Sequence, residues 1–266
     1  MIVAAAAQDW RIFMTLAEEE GWRVPKNELS LHRQGRCSRA WALREDDNTI
    51  GLITGVRHQQ SAWIGNLIIA PAARGRGFGA QLFDHAVKEL RAAGATTLWL
   101  TASAQGAPLY AARGFQPVAK IQRWVLGEGG RGAGGLLDAG VNGRHSDAAI
   151  WRDDRRPLLR HLEGGGNWQQ QGESLALLQR GDDLQIIGPW YGSARLQDDA
   201  ELLDRLIAAA TPQQELVVDL VSLCGREGLL AAAGFTSSGS TGLMVTGPAE
   251  VDWPRLVALA TMGSCG

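Results

Sequence analysis

The sequence APAARGRGFGAQLF, residues 70–83, carries three closely spaced glycines just before an apolar-periodic run. Gly75, Gly77 and Gly79 stand at alternate positions, and the run begins at Leu82. Glycine tolerates backbone angles and close approaches that a side chain forbids, so glycines that open a helix indicate backbone N–H groups gathered around an anion. The stretch therefore predicts an anion-binding loop at the N-terminus of a helix.

The segments on either side of this loop alternate between strand and helix patterns. A strand pattern, SAWIGNLIIA, runs directly into the loop, and the helix pattern QLFDHAVKELRAAG after it leads to a second strand pattern, TTLWLTAS. Further upstream the periodicity predicts helices at 4–20 and 25–33 and strands at 39–45 and 49–58. Strand, loop, helix and strand in succession form a βαβ-type unit, in which anions bind where the strand ends and the helix begins.

Three kinds of anion-binding loop compete for this stretch. A nucleoside-triphosphate loop needs GxxxxGK[ST]; here Gly79 is followed by Ala80 and Gln81, which excludes that loop. Gly75, Gly77 and Ala80 formally match the pattern of a dinucleotide-binding loop. Such a loop also needs an acidic residue at the end of the next strand, and TTLWLTAS ends without one. The third kind, a coenzyme A loop, needs support from elsewhere in the chain.

The composition is that of a globular protein. The chain has 266 residues, of which 45% are hydrophobic and 20% charged, and its formal net charge is −2. This charge gives no general attraction to nucleic acid or to an anionic membrane, and no segment approaches the roughly 18 apolar residues that a membrane helix needs. Cys37, Cys224 and Cys265 are far apart and show no metal-ligand spacing. We therefore expect a cytoplasmic protein with no metal, nucleic acid or membrane partner.

A glycine-rich stretch divides the chain into two parts. From residue 127 the sequence reads GEGGRGAGGLLDAG, and a new pattern of helices and strands starts only near SDAAIWRDDRRPLLRHL. We therefore predict a first domain at 1–126, a glycine-rich linker at 127–144 and a second domain at 145–266, with both domains of ordinary size.

The two parts resemble each other internally. LYAARGF at 109–115 corresponds to LLAAAGF at 229–235. Each of these segments follows a strand pattern, and an amphipathic helix pattern precedes each strand. Two domains of one design are the simplest explanation.

The glycine loop and the segment LYAARGF together resemble the GNAT N-acetyltransferase superfamily. Arg74, Gly77 and Gly79 match its acetyl-CoA loop, [QR]xxGx[GA], and Tyr110, four residues before Gly114, matches its tyrosine helix. Further segments, among them WIGNLIIAP, PLYAARGFQPV, DRRPLLRHL and IIGPWYG, resemble a bacterial group with two tandem GNAT domains, the second of them atypical. The resemblance implies an α/β fold, with α+β mixed sheets, of two GNAT-like acyl-CoA N-acyltransferase domains joined by the glycine-rich linker.

The resemblance also implies acetyl-CoA as the acyl donor. Backbone amides of the glycine loop would hold the pyrophosphate, with charge added by Arg74 and Arg76. The backbone of the strand before the loop would pair with the pantetheine arm and help to polarise the thioester carbonyl. The positions expected to contact acetyl-CoA are Leu67, Ile68, Ile69, Arg74, Gly75, Arg76, Gly77, Phe78 and Gly79.

Acyl transfer to an amine needs a base for the amine and an acid for the departing thiolate. Tyr110 is the candidate acid. The base stays open, because the carboxylates at 18–20 form a run at the end of the first helix from which none stands out. The residues expected near the acceptor are Asn66, Trp22 and Tyr191.

The expected function is transfer of an acetyl group from acetyl-CoA to an amine of a small molecule or a protein, by direct attack at one site in the first domain. The second domain lacks the loop pattern, and Leu230 stands where the first has Tyr110. Thr101 departs from the pattern of the tandem group, which tends to carry an acidic residue at the end of the strand before the tyrosine helix. The alternative is a non-catalytic acyl-CoA-binding or regulatory protein of the same fold. A homodimer is an open possibility.

Overall fold

The computed structural model describes residues 1–34, 37–127, 141–182 and 184–266. In the first half these residues form β1 Ile2–Ala4, α1 Ala7–Glu19, α2 Lys26–Gln34, β2 Ser38–Glu45, β3 Asn48–Arg57, β4 Ser61–Ile69, a 3-10 turn Pro71–Ala73, α3 Phe78–Ala92, β5 Thr97–Ala102, α4 Ala107–Ala111 and β6 Gln116–Leu126. In the second half they form α5 Arg144–Trp151, α6 Arg156–Glu163, β7 Gly166–Gln171, β8 Ser174–Gln179, β9 Leu184–Tyr191, α7 Leu196–Ala209, β10 Glu215–Val221, α8 Glu227–Ala232, β11 Thr236–Thr246 and β12 Leu256–Ala258. The order of helices and strands from α1 to β6 is repeated in the second half from α5 to β11.

The elements predicted around the glycine loop are confirmed. The four patterns upstream form α1, α2, β2 and β3, and those next to the loop form β4, α3 and β5. The hairpin between β2 and β3 turns at Asp46 and Asp47, with φ of 47° and 62°, because a two-residue hairpin needs this left-handed pair. The sequence analysis did not predict β1, whose three residues are too few to show a period.

Within the described residues, one twelve-stranded sheet runs through both halves in the order β1-β2-β3-β4-β5-β11-β6-β10-β12-β9-β8-β7. The strands β6 and β11 are exchanged: β11 pairs with β5 of the first half, and β6 pairs with β10 of the second. The predicted domains 1–126 and 145–266 therefore share a sheet in which each contributes a strand to the other. The predicted linker at 127–144 lies outside the described residues, apart from its first residue and its last four.

The two halves match in detail around their Gly-Phe pairs. The Phe115 amide donates to the Tyr110 carbonyl over 3.2 Å, and the Phe235 amide donates to the Leu230 carbonyl over 3.0 Å. The parallel pair β4–β5 of the first half has its counterpart in β9–β10 of the second. The internal resemblance between LYAARGF and LLAAAGF is therefore a structural duplication.

Helices cover both faces of the first half of the sheet. On one face α3 and α4 pack against β2 to β5, with Leu82 and Phe83 fully buried. On the other face α1 packs Trp10 and Phe13 against β3 and β4. This second face continues into an apolar cluster shared by α2, α5, α6 and the chain after β12. The two halves thus have a common interior on the side of α1 and α2.

Candidate active site

The glycine loop connects the end of β4 to the start of α3. Gly75 and Gly77 have φ of 76° and 81°, angles that favour glycine, and Gly77 caps the N-terminus of α3. Apart from the neighbouring residues in the chain, no atom lies within 4 Å of the position that a Cβ would take at either glycine, and both glycines line a cavity. Arg74 Nε donates to the Ile69 carbonyl over 2.9 Å and folds the loop onto the strand end. The predicted sequence of strand, loop and helix N-terminus is present.

The parallel strands β4 and β5 separate next to this loop. They pair from Ser61 with Thr97 to Ile64 with Leu100, and β4 continues beyond that last pair to Ile69. A register shift in the pairing of β4 with β3 falls at the same point. We call the gap between the separated strands the β4–β5 opening. The backbone edge of β4 at this opening can pair with an extended ligand, as a sheet edge pairs with an added strand.

A cavity of about 520 Å³ joins the β4–β5 opening to the glycine loop. Its walls come from the end of α1, the last residues of β4, the loop with the first turn of α3, and the segment from β5 into α4. Residues 103–106, between β5 and α4, also line the cavity. The sequence analysis did not name them, although their position between a strand end and the helix that carries Tyr110 indicated that they lie near the site. The predicted site residues that line the cavity are Trp22, Leu67, Ile68, Ile69, Arg74, Gly75, Gly77, Phe78, Gly79 and Tyr110.

Tyr110 lies on α4 with its ring against α3. The centroid of its ring is 4.9 Å from that of Phe83. Burial raises the pKa of the Tyr110 phenol to about 12, so the hydroxyl is protonated at neutral pH. A protonated phenol on the cavity wall can donate its proton to a group inside the cavity.

Carboxylates hold both arginines of the glycine loop. Arg74 Nη2 lies 2.5 Å from Glu20 Oε1, and both residues line the cavity. Arg76 forms a bidentate ion pair with Glu45, with N–O distances of 2.9 and 2.6 Å, and its guanidinium covers the Phe78 ring. Arg76 is not among the residues that line the cavity. Of the two predicted cationic contacts, Arg74 is therefore the one placed to meet an anion there.

Asn66 lies at the irregularity in β4, with φ of 55°, and its side chain is bound within the protein. Its Nδ2 donates to Thr54 Oγ1 over 3.1 Å and to His32 Nε2 over 3.2 Å. Desolvation lowers the pKa of His32 to about 4, so the ring is neutral; because Nε2 accepts, Nδ1 carries the proton and donates to Ser38 Oγ over 2.7 Å. Both protons of the Asn66 amide are thus engaged. The sequence analysis missed His32, whose signal was its spacing from Glu28 on the buried side of α2.

The corresponding opening in the second half is filled. After a short parallel pairing, β9 and β10 accept β12 between them, which pairs with both. Tyr191, predicted to contact the acceptor, lies at the end of β9, where it is fully buried and its hydroxyl donates to the Asp147 carboxylate. Tyr191 therefore offers no surface to an acceptor, contrary to the expectation, because a buried phenol takes a partner from the core.

The described ranges lack two further features. No three side chains of His, Cys, Asp or Glu come together there in a way that could hold a metal ion. No helix in those ranges combines the length and the apolar character needed to cross a membrane. Cys37, Cys224 and Cys265 are free thiols, each with its pKa raised by burial.

Comparison with known proteins finds a family match in the first half of the chain. Residues 5–115 match the family model of the Acetyltransferase (GNAT) family. This match spans the glycine loop and Tyr110 and ends before β6, the exchanged strand. No curated protein is significantly similar to the chain in sequence.

Solved structures resemble the whole chain at low sequence identity. A candidate acetyltransferase from Pyrococcus horikoshii is 18% identical with a TM-score of 0.79, covering 100% of this chain and 95% of that one. A GCN5-related N-acetyltransferase from Sphaerobacter thermophilus is 16% identical with a TM-score of 0.66, covering 93% and 95%. A tandem GNAT protein from the clavulanic acid biosynthesis pathway is 15% identical with a TM-score of 0.59, covering 93% and 98%. The chain therefore has the fold of tandem GNAT proteins, and its residues 5–115 match the model of the Acetyltransferase (GNAT) family.

Proposed function

We propose that this protein is an acetyl-CoA-dependent N-acetyltransferase with its active site in the first half. The observation that carries the proposal is one cavity bounded by the glycine loop, the free edge of β4 and Tyr110. These three features meet three requirements of acyl transfer: an anion cradle, a strand edge that orients the donor, and a proton donor. The proposed acceptor is an amine of a small molecule or of a protein.

The glycine loop fits the pyrophosphate of acetyl-CoA. Backbone N–H groups at 76–79 lie at the N-terminus of α3, where the helix dipole favours negative charge, and Gly75 and Gly77 line the cavity. Arg74 lines the same cavity and would add a charge-assisted contact. Bound acetyl-CoA supplies an acetyl thioester, whose carbonyl carbon an amine can attack.

The edge of β4 would orient that thioester. Leu67, Ile68 and Ile69 lie beyond the last residue of β4 that pairs with β5, so this stretch of β4 has no strand partner on the side of the opening, although Ile68 and Ile69 still pair with β3 on the other side. Such an edge pairs with the amide groups of an extended ligand, and its apolar side chains are compatible with recognition through the main chain. An N–H at this edge would also stabilise the negative charge that develops on the thioester oxygen during attack.

Tyr110 is the proposed acid. As the bond between nitrogen and the acyl carbon forms and the C–S bond breaks, Tyr110 is placed to give its phenolic proton to the departing sulfur. The attacking amine releases one proton to the solvent in the same reaction, and the solvent returns one to the Tyr110 phenolate. Glu20 lines the cavity, but its carboxylate is paired with Arg74, and we therefore leave it out of the acid–base steps.

We propose a single acetyl-CoA site per chain. In the second half, Leu230 takes the place of Tyr110 and is fully buried, and β12 occupies the gap between β9 and β10. A pantetheine arm would have to displace that strand. In this proposal the second half binds no acetyl-CoA and has a structural role.

Release of free thiol from acetyl-CoA, measured over a panel of small amines and lysine-containing peptides, tests the proposal. An N-acetyltransferase releases one thiol for each amine acetylated, whereas a regulatory acyl-CoA-binding protein binds without release. Titration calorimetry on the same protein is expected to give one acetyl-CoA per chain. If the protein binds acetyl-CoA but releases no thiol with any of the amines, the regulatory alternative is favoured. If it does not bind acetyl-CoA, both the enzymatic and the regulatory function are contradicted.

A further inference from the structure

The chain after β12 contacts both strands of the β4–β5 opening. We call residues 261–265 the clasp segment. The carbonyl oxygen of Gly263 accepts two hydrogen bonds, from Trp63 Nε1 of β4 and from Thr101 Oγ1 of β5, each 3.0 Å long. Trp63 lies one residue before the last parallel pair, and Thr101 lies one residue after it. A single carbonyl from the second half therefore joins the two strands where they begin to separate.

The clasp segment also lies against the irregular stretch of β4. A Cβ at Gly65 would overlap the carbonyl oxygen of Ser264, so the two backbones touch at this glycine. Cys265 Sγ lies 3.5 Å from Nε2 of His32, the same nitrogen that accepts a hydrogen bond from Asn66. The segment thus contacts β4 directly at Gly65 as well as at Trp63, and it reaches Asn66 through His32.

Glu28 of α2 and a hydrogen bond within the clasp segment hold this segment in place. The Glu28 carboxylate accepts hydrogen bonds from the Met262 amide, over 2.8 Å, and from the Ser264 hydroxyl. The Cys265 amide donates to Thr261 Oγ1 over 3.0 Å, which closes the segment on itself. Ser264 and Cys265 are buried. Because these hydrogen bonds and this burial fix the segment, and because Ser264 touches Gly65, the segment has little room to shift without moving β4.

We propose that the clasp segment is a positioning element for acyl transfer in the first half. It sets the separation of β4 and β5 and the course of the β4 edge, on which the pantetheine arm and the thioester depend. The inference rests on the proposed function. It also gives the second half a role in the reaction: β12 closes the opening of its own half, and the residues that follow β12 shape the opening of the other.

Thr101 is the residue on which this proposal is tested. Its hydroxyl can donate to the Gly263 carbonyl, whereas an ionised carboxylate at the same place could only accept. Thr101→Val keeps the shape of the side chain and removes the donor. Thr97→Val is the matched control, because Thr97 lies on the same strand and its hydroxyl also donates to a carbonyl of the second half, that of Pro248, but at the far end of β5.

Both variants lose one hydrogen bond between the halves, and only Thr101→Val loses it at the opening. We expect Thr101→Val to weaken acetyl-CoA binding, measured by calorimetry, and to lower kcat/KM by about 10-fold, because a reacting group displaced by a fraction of an ångström loses rate steeply. Thr97→Val should stay within about 2-fold of the wild type in both measurements. Equal effects of the two variants would overturn the proposal.

Gly65→Ala is a second, independent variant. It removes no hydrogen-bond donor but pushes the Ser264 backbone away from β4. We expect a fall in kcat of about 100-fold, larger than the change in KM for the amine, because the thioester is displaced in the transition state. A Gly65→Ala protein with wild-type kinetics would overturn the proposal. A wild type that binds no acetyl-CoA would instead defeat the proposed function itself, so the two failures are distinct.

Discussion

Glu20 and Arg74 form an ion pair in the wall of the cavity, with 2.5 Å between Oε1 and Nη2. Glu20 follows the last residue of α1, and Arg74 belongs to the loop proposed to hold the pyrophosphate. Their side chains are 33% and 38% exposed, so solvent screens the pair and its contribution to stability is about 1 kcal/mol or less. The pair matters more for function, because it determines how much positive charge on Arg74 is available to an anion.

Glu20→Gln is expected to tighten acetyl-CoA binding by about 2- to 5-fold at low ionic strength, since it releases Arg74 from a competing carboxylate. Calorimetry at low and high salt measures this, and the gain should shrink as salt is added. Glu19→Gln, on the exposed end of the same helix, is the control and should leave binding unchanged. A loss of kcat above about 100-fold in Glu20→Gln, with unchanged binding, would identify Glu20 as the general base instead.

Tyr110→Phe is expected to lower kcat by about 10- to 10⁴-fold and to leave acetyl-CoA binding within about 2-fold. The Phe ring keeps the packing against Phe83, so the change isolates the hydroxyl. Steady-state kinetics and calorimetry measure the two quantities. Tyr191→Phe is the matched control, because Tyr191 is the other tyrosine of the chain and its hydroxyl is buried in the second half. Wild-type turnover in Tyr110→Phe would remove Tyr110 from the mechanism.

The pKa of Tyr110 also predicts the shape of the pH profile. With a pKa of about 12, the phenol stays protonated over the usual assay range. Ionisation of Tyr110 should therefore cause no fall of kcat between about pH 7 and 10. An alkaline fall within that range that disappears in Tyr110→Phe would show that the phenol ionises there and would contradict this expectation.

The positions of the glycine loop and of the helix that carries Tyr110 could be predicted because the pattern that specifies them is local. The loop occupies consecutive positions between β4 and α3, and Tyr110 lies on the next helix after the following strand. Anion binding by such a loop needs only backbone conformation and a helix N-terminus, both of which the order of glycines and apolar residues specifies. Most helices and strands around the loop follow from periodicity for the same reason.

The exchange of β6 and β11 could not be predicted from the sequence. An alternating pattern determines which face of a strand is buried, but it does not tell which neighbour the strand pairs with. Side-chain partners of Asn66 and Tyr191 escaped prediction for a related reason: His32 and Asp147 are distant in sequence and become neighbours only through the fold. The clasp segment, too, reaches β4 and β5 only because the halves share one interior.

The buried carboxyl of Glu28 is expected to make stability fall as the pH rises through the weakly acidic range. Desolvation raises its pKa to about 6 from an ordinary value of 4.5. The folded protein therefore binds more protons than the unfolded chain between those values, so the stability contributed by the protonated carboxyl is present below about pH 4.5 and is lost as the pH rises through 6. A shift of this size corresponds to about 2 kcal/mol.

Denaturant unfolding of the wild type and of Glu28→Gln, from about pH 4 to pH 8, measures this effect. Gln can accept from the Met262 amide and donate to the Ser264 hydroxyl, so the local contacts can be kept. The stability of Glu28→Gln relative to the wild type should rise by about 2 kcal/mol across the range. The difference between the two proteins is needed because His32, with its lowered pKa, makes stability rise with pH in the same window. A difference that is constant with pH would contradict the prediction.

The exchanged strands should make the two halves unfold together. Each half would lose a strand of its sheet if the other unfolded, since β11 pairs with β5 and β6 pairs with β10. We therefore expect a single calorimetric transition, which acetyl-CoA shifts upward as a whole although its proposed site lies in the first half. Leu230→Ala, in the core of the second half, should lower the free energy of unfolding by about 2–5 kcal/mol and move the same single transition.

Leu82→Ala is the matching variant in the core of the first half, where Leu82 is equally buried. If the halves are one cooperative unit, the two variants should each shift the whole transition, and acetyl-CoA should raise it by a similar amount in both. Two resolved transitions, of which Leu230→Ala lowers one and acetyl-CoA raises only the other, would show that the halves unfold separately despite the shared sheet. That result would also weaken the clasp proposal, because a second half that can unfold alone cannot hold the β4–β5 opening in place.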